Sequence, residues 1–427
     1  MRKFLLLIFL LPALFSSITV ISTEKDFVLD EEEKYHFTST TYGRYYDSIP
    51  TNPNVYEEIP TFTDSTLSKT AGKLVPDQPI QITGFYVNEE GVPIFKLKNG
   101  QFVIADKNTI YEDTVQSIED VHQEMWLKLG FILYDKANIN GAKKVNTTLA
   151  PYTKVTIVQI VQTVKGTYAQ VEGQGWVSME FLDDTDNRMD KVQEILSSKY
   201  NKADYSIYVK QLDTGKEAGI NQDQEMYSAS VTKLPYLYYV QEQLNQKKIS
   251  LDQKFKYVGA VNDFAGAYEP EGSGSISKSA DDKEYSVQDL INRVAKESDN
   301  VAHNILGYYA TNQSDKNFQQ TINKIAGKKW DVEERQASSR MAGNVLEAIY
   351  EQNGMIIDAL SQTNYDNQRI SKNIDAKVAH KIGDAYDFKH DAAIVYADSP
   401  FIIVIFTNNA NYDNISQIAD DVYGVLK

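Results

Sequence analysis

The chain has no cysteine among its 427 residues. Disulfide bridges, a thiolate nucleophile and lipid attachment to an N-terminal cysteine are therefore excluded, and the fold has to be held by packing alone. Histidine is scarce. His36, His122, His303, His380 and His390 are scattered, with no H-x-x-x-H spacing, so no metal site is expected and no cofactor is implied. Positive charge is also in deficit, with 43 Lys and Arg against 59 Asp and Glu and a formal net charge of −16. With no long basic run to neutralise phosphates, nucleic acid is excluded as a partner. The 42% hydrophobic and 24% charged content is that of a globular protein, and the length suits two or three domains.

Long apolar runs are absent except at the N-terminus. Arg2 and Lys3 precede nineteen uncharged residues, Phe4 to Ser22, and Glu24, Lys25 and Asp26 close the run. That is the layout of an export signal, with Val20 and Ser22 at the −3 and −1 positions of a cleavage site before Thr23. The run is also nearly long enough to span a bilayer. Residues 1–22 thus read as a signal peptide or a membrane anchor. Either reading places the rest of the chain outside the membrane, secreted or tethered at the cell surface.

Residues 23–72, rich in Thr, Ser, Tyr, Glu and Pro, read as a spacer without helical period. Short β segments follow. Ile80 and Ile82, then Ile94, Phe95 and Leu97, then Phe102 to Ile104 are punctuated by Gly91 and by Asn99-Gly100, a hairpin cue. Val155, Ile157 and Ile160, Tyr168 and Val171, and Gly175-Trp176-Val177 repeat the plan. Asn99 to Val103 and Gly173 to Val177 look like one structural slot used twice. Residues 73–115 and 130–186 resemble two bacterial SH3-like, GW-type modules, which would bind a cell-wall polymer. Trp176 equally suits a plain core residue.

From 187 to 427 helices and strands mix. Val192, Ile195 and Leu196 have helical spacing, Tyr205 to Val209 alternate as a strand, Ala392 to Tyr396 and Phe401 to Phe406 are apolar strands, and Ile415 to Leu426 is an amphipathic helix. Helix and strand at both ends with a helical middle predict an α+β sandwich with a helical subdomain.

Ser230-Val-Thr-Lys233 opens a predicted helix, and a spacing of three puts the amine within reach of the hydroxyl. A serine needs such a base, and a lysine serves when burial lowers its pKa. The pattern alone is weak, since Ser275 and Lys278 repeat it in a polar loop. Two further motifs strengthen it: Ser298-Asp299-Asn300 within KESDNVAHNIL, and Lys381-Ile382-Gly383 before DAAIVY. The three in this order resemble the class A β-lactamase and penicillin-binding serine hydrolase family. The resemblance covers about residues 190–427.

The resemblance implies a β-lactamase/transpeptidase-like α/β sandwich and an acyl-enzyme formed with a β-lactam or a D-Ala-D-Ala-like peptidoglycan stem peptide. By it Ser230 attacks the carbonyl, Lys233 takes its proton, and Ser298 passes a proton to the leaving nitrogen. Asn300 holds a substrate amide, and Lys381 faces the substrate carboxylate. The N–H groups of Ser230 and Asp384, beside Gly383, form the oxyanion hole. Asp299 is expected to brace its loop.

Two departures stand out. Ile382 has no hydroxyl for the substrate carboxylate. Only 80 residues separate Asn300 from Lys381, and the E-x-x-L-N loop that positions the deacylating water is missing. Asp331, Glu333 and Glu334 are the acids in its place, and each also reads as a charge near a helix start. Slow deacylation follows, with a catalytically weak wall-binding protein as the alternative.

Overall fold

The computed structural model describes residues 43–427, so the N-terminal apolar run and residues 23–42 of the expected spacer lie outside the described residues. The chain divides into two compact units. The first comprises the described residues up to Val121 with Ile132–Asn146 and Val158–Ser178; the second comprises His122–Phe131, Thr147–Ile157 and Met179–Lys427.

The first unit is built of antiparallel strands. Thr70–Leu74, Ile59–Phe62, Phe102–Ile104, Pro93–Leu97 and Ile82–Val87 lie side by side in one five-stranded sheet. Strands thus occur within residues 53–72, where a spacer was expected. Alternate residues Ile59 and Thr61 point inward, a period-2 pattern that the surrounding Thr, Pro and Ser obscure. Ile59, Phe95, Leu97 and Val103 share one small core with Val55 and Ile110. A boundary at 73 would cut through this sheet. Asn99-Gly100 and Gly173-Gln174 do occupy matching places, each turning one strand into the next. Gly175 is obligatory: at φ +154° a Cβ there would lie 2.7 Å from the Tyr134 carbonyl oxygen. Trp176 packs beside Val161 and Tyr168.

The second unit is organised by one antiparallel sheet of β1 (Tyr205–Gln211), β2 (Glu217–Ile220), β3 (Lys377–Ala385), β4 (Phe388–Tyr396) and β5 (Phe401–Asn408), in the order β2-β1-β5-β4-β3. Alternation along β1 and β5 feeds two cores. Ile207, Val209, Ile403 and Ile405 face α1 (Arg188–Lys199) and α8 (Tyr412–Leu426). Tyr208, Ile402, Val404 and Phe406 face the larger core. That core holds α2 (Lys233–Asn245), α3 (Val287–Lys296), α4 (Asn300–Tyr309), α5 (Lys316–Ala326), α6 (Ser339–Gln352) and α7 (Met355–Leu360). A sheet buried on both faces accounts for the nearly unbroken apolar runs of β4 and β5. This is the α+β sandwich with helices between its terminal strands that the sequence predicts.

Candidate active site

Three segments meet at the edge strand β3 of the sheet. The first is a 3₁₀ turn, Ala229–Thr232, that runs into α2 at Lys233. Residues three apart eclipse one another in a 3₁₀ turn, so Ser230 and Lys233 share a side. Ala229 has φ +47°, a region costly for a residue with a Cβ, and the turn is held from several directions. The Ser228 N–H and hydroxyl donate to the Arg335 carbonyl at 2.7 and 2.9 Å. The Tyr268 hydroxyl donates to the Ala229 carbonyl at 2.8 Å.

The second segment is the loop entering α4. Buried Asp299 caps this helix through the Ala302 N–H at 2.8 Å and accepts the Ser275 and Ile276 N–H groups at 2.7 and 3.0 Å. It braces the loop as expected. Ser298, at φ +55°, turns both its carbonyl and its hydroxyl toward lysines. The third segment is β3, which carries Lys381, Gly383 and Asp384 and precedes the DAAIVY strand, β4, as expected. Gly383 permits close approach to the turn: a Cβ there would lie 2.8 Å from the Ser228 carbonyl oxygen and 3.1 Å from Val231 Cγ2.

The polar groups form one chain. Lys233 Nζ donates to Ser298 O at 2.6 Å, to Asn300 Oδ1 at 2.7 Å and to Ser298 Oγ at 3.3 Å. Lys381 Nζ donates to the same Ser298 Oγ at 2.8 Å and to the Ile382 carbonyl at 3.0 Å. Both lysines are fully buried. Burial pushes the Lys233 amine well below its ordinary value, and the nearby Lys381 charge lowers it further. Burial also brings Lys381 down to about 7, against the opposing pull of Asp391. A buried amine with depressed basicity is available as a base near neutral pH. Among the described residues none hydrogen-bonds the Ser230 hydroxyl.

Ser230, Asn300 and Asp384 line a cavity of about 510 Å³ with Tyr268, Arg335 and Tyr386. Tyr268 and Arg335 belong to no motif. The Lys233 ammonium lies 4.3 Å and the Arg335 guanidinium 4.1 Å from the Tyr268 ring centroid, distances typical of cation–π contact. Such contacts join residues far apart in the chain and leave no local signal. Of the loop acids, Glu333 and Glu334 are exposed, and Asp331 accepts the Glu334 N–H at 2.9 Å. None of the three lines the cavity, whereas Arg335 does. The second Ser-x-x-Lys, at Ser275, is exposed in its loop.

The model of the beta-lactamase enzyme family matches residues 187–426. No curated protein matches the chain. Among solved structures, PBP-A is similar at 17% identity and a TM-score of 0.47, covering 56% of this chain and 95% of that one. A mutant of PBP-A, in an acyl-enzyme complex with penicillin G, gives 17% and 0.46, covering 56% and 95%. A beta-lactamase from Sphaerobacter thermophilus gives 16% and 0.45, covering 56% and 94%.

Proposed function

The chain belongs to the beta-lactamase enzyme family through residues 187–426, and from that we propose that it is an extracellular serine hydrolase or acyltransferase. Its acyl donor is a β-lactam or a D-Ala-D-Ala-like stem peptide of the cell wall. One observation carries this reading: Lys233, buried and depressed in basicity, shares Ser298 Oγ with Lys381 and holds Asn300. In this reading neutral Lys233 takes the Ser230 proton as Oγ attacks the carbonyl carbon. The new ester bond forms, the C–N bond breaks, and Ser298 delivers the proton to the leaving nitrogen. Lys381 then reprotonates or orients Ser298. The N–H groups of Ser230 and Asp384 receive the oxyanion, in a geometry supported by the close packing at Gly383.

None of Asp331, Glu333 and Glu334 lines the cavity, which supports slow release. The test is a fluorescent penicillin followed by intact-mass spectrometry. Labelling of the wild type, loss of label in Ser230→Ala, and an adduct that outlives its formation by ~10²-fold or more are expected. A correctly folded but unlabelled wild type would reject the reading, and rapid multiple turnover would reject slow release. The alternative, a catalytically weak wall-binding protein on the same fold, is favoured by the Ser230 hydroxyl, which has no hydrogen-bond partner among the described residues. Catalytic hydrogen bonds often tighten only with substrate, and labelling separates the two readings.

Phe4 to Ser22 supports export, and the mature mass would show a start near Thr23 if the run is cleaved. The paired hairpins of the first unit support an SH3-like module for wall polymer. Residues 43–178 are expected to pellet with purified peptidoglycan, and their remaining in solution would reject that role.

A further inference from the structure

We propose that Arg335 is the carboxylate receptor of the cavity, so that the substrate is an acyl donor carrying a free carboxylate that pairs with this guanidinium. The proposal rests on the acyl-enzyme reading above and changes which residue recognises the substrate.

The expected receptor is poorly built for that task. Lys381 is fully buried and does not line the cavity. Its amine is already committed to Ser298 Oγ and the Ile382 carbonyl, and with basicity brought down to about 7 it is only partly charged at neutral pH. Ile382, its neighbour, is buried and has no hydroxyl. Arg335 is the one cation among the residues lining the cavity. Its Nη2 donates to the Ala267 carbonyl at 2.8 Å and its central carbon lies over the Tyr268 ring. Its buried Nε has no hydrogen-bond partner among the described residues, so the guanidinium is not fully satisfied within the fold. Burial would lower the Arg335 pKa, but charge interactions and hydrogen bonding with Tyr268 and Tyr227 outweigh it and raise it. The residue sits at φ +54°, an unusual backbone for a long side chain, with its carbonyl tied to Ser228. The loop thus presents a fixed, planar donor group, the geometry that suits a carboxylate.

Two acids also line the cavity. Asp384 is already paired with Arg369 at 2.6 Å and Lys389 at 3.0 Å. Glu269 is exposed, where water and salt screen it. Neither consumes the Arg335 charge.

The test uses benzylpenicillin and its methyl ester on the full chain. In the wild type the acid should acylate Ser230 at least about tenfold faster than the ester, the worth of one charge-assisted hydrogen bond. In Arg335→Gln the ratio should fall to near one, and Arg335→Lys should restore part of it. A ratio unchanged in Arg335→Gln overturns the proposal. Calorimetric binding of the same pair to Ser230→Ala removes dependence on chemistry. A preference for acid over ester that vanishes in Ser230→Ala/Arg335→Gln supports the subsite even if the wild type is never acylated, which would reject the acyl-enzyme reading alone. Equal binding of acid and ester to Ser230→Ala overturns the subsite. Matching thermal melts of the variants show that the fold is kept.

Discussion

Lys233 and Lys381 face the same serine hydroxyl, and their closeness sets a testable pH dependence. Lys381, when protonated, makes a second positive charge at Lys233 unfavourable, after burial has already done so. Replacing it by a neutral side chain removes that repulsion, so the Lys233 pKa rises and less free base exists at a given acid pH. The acid limb of the acylation-rate profile should therefore move to higher pH in Lys381→Met, whatever happens to the maximal rate. Stopped acylation reactions read by intact mass across pH would show it, and an unmoved limb would mean that Lys381 does not tune Lys233. At this scale the sequence was informative where spacing encodes contact. Asp299 caps the helix it precedes, whereas Ser230 and Lys233 share a turn but the Lys233 amine is bound to Ser298 and Asn300 and not to the Ser230 hydroxyl. Tyr268 and Arg335 were not legible, because their stacking is made through space by loops with no periodic pattern.

Strand β3 is joined to the segment before it by a buried histidine. His380 Nδ1 lies 3.0 Å from both oxygens of Asp391, and Nε2 lies 3.2 Å from Asp366 Oδ1 and 3.1 Å from Thr363 Oγ1. Burial alone would lower its pKa, but Asp391 and then Asp366 outweigh that and raise it to about 9. The folded state therefore holds this proton more tightly than the unfolded chain. The resulting stability is fully present below about pH 6.5 and is lost as pH rises to about 9. It amounts to at most about 3 kcal/mol. Lys381 acts in the opposite sense: its depressed pKa makes folding less costly as pH rises above about 7. The informative quantity is thus the difference between wild type and His380→Gln in urea unfolding. That difference should shrink between pH 6 and pH 9.5, and a constant difference would contradict the charged imidazole. This element was half legible. The apolar run of β4 marked a strand, but β3, which ends in the polar AHKIGDA, did not look like one. Its His380 and Lys381 are buried because each has a partner elsewhere in the fold, which local hydropathy cannot register.

The family model begins at residue 187, and the sequence puts a domain boundary at the same place, yet the compact unit reaches further back. His122–Phe131 and Thr147–Ile157 belong with the sheet and helices of the second unit. Leu182 and Asp183 pair with Leu127 and Trp126. The Arg188 guanidinium lies 5.2 Å from the Trp126 ring centroid. Asn187, fully buried, donates to the Leu127 carbonyl at 3.2 Å, and Tyr152 donates to Glu194 at 2.6 Å. A chain beginning at 187 would lose the fully buried Leu127, worth about 2 kcal/mol. It would also lose the hydrogen bond to Asn187, worth about 1 kcal/mol, and would expose the start of α1. The fragment 187–427 should consequently melt roughly 5–10 °C below the corresponding transition of the full chain, although it contains every residue of the candidate site. Leu127→Ala in the full chain should lower that transition in the same direction, which separates lost packing from any effect of shortening the chain. Differential scanning calorimetry of the three proteins decides the matter: a fragment that melts with the full chain would place the true boundary at 187 and make residues 122–157 dispensable to the enzyme fold.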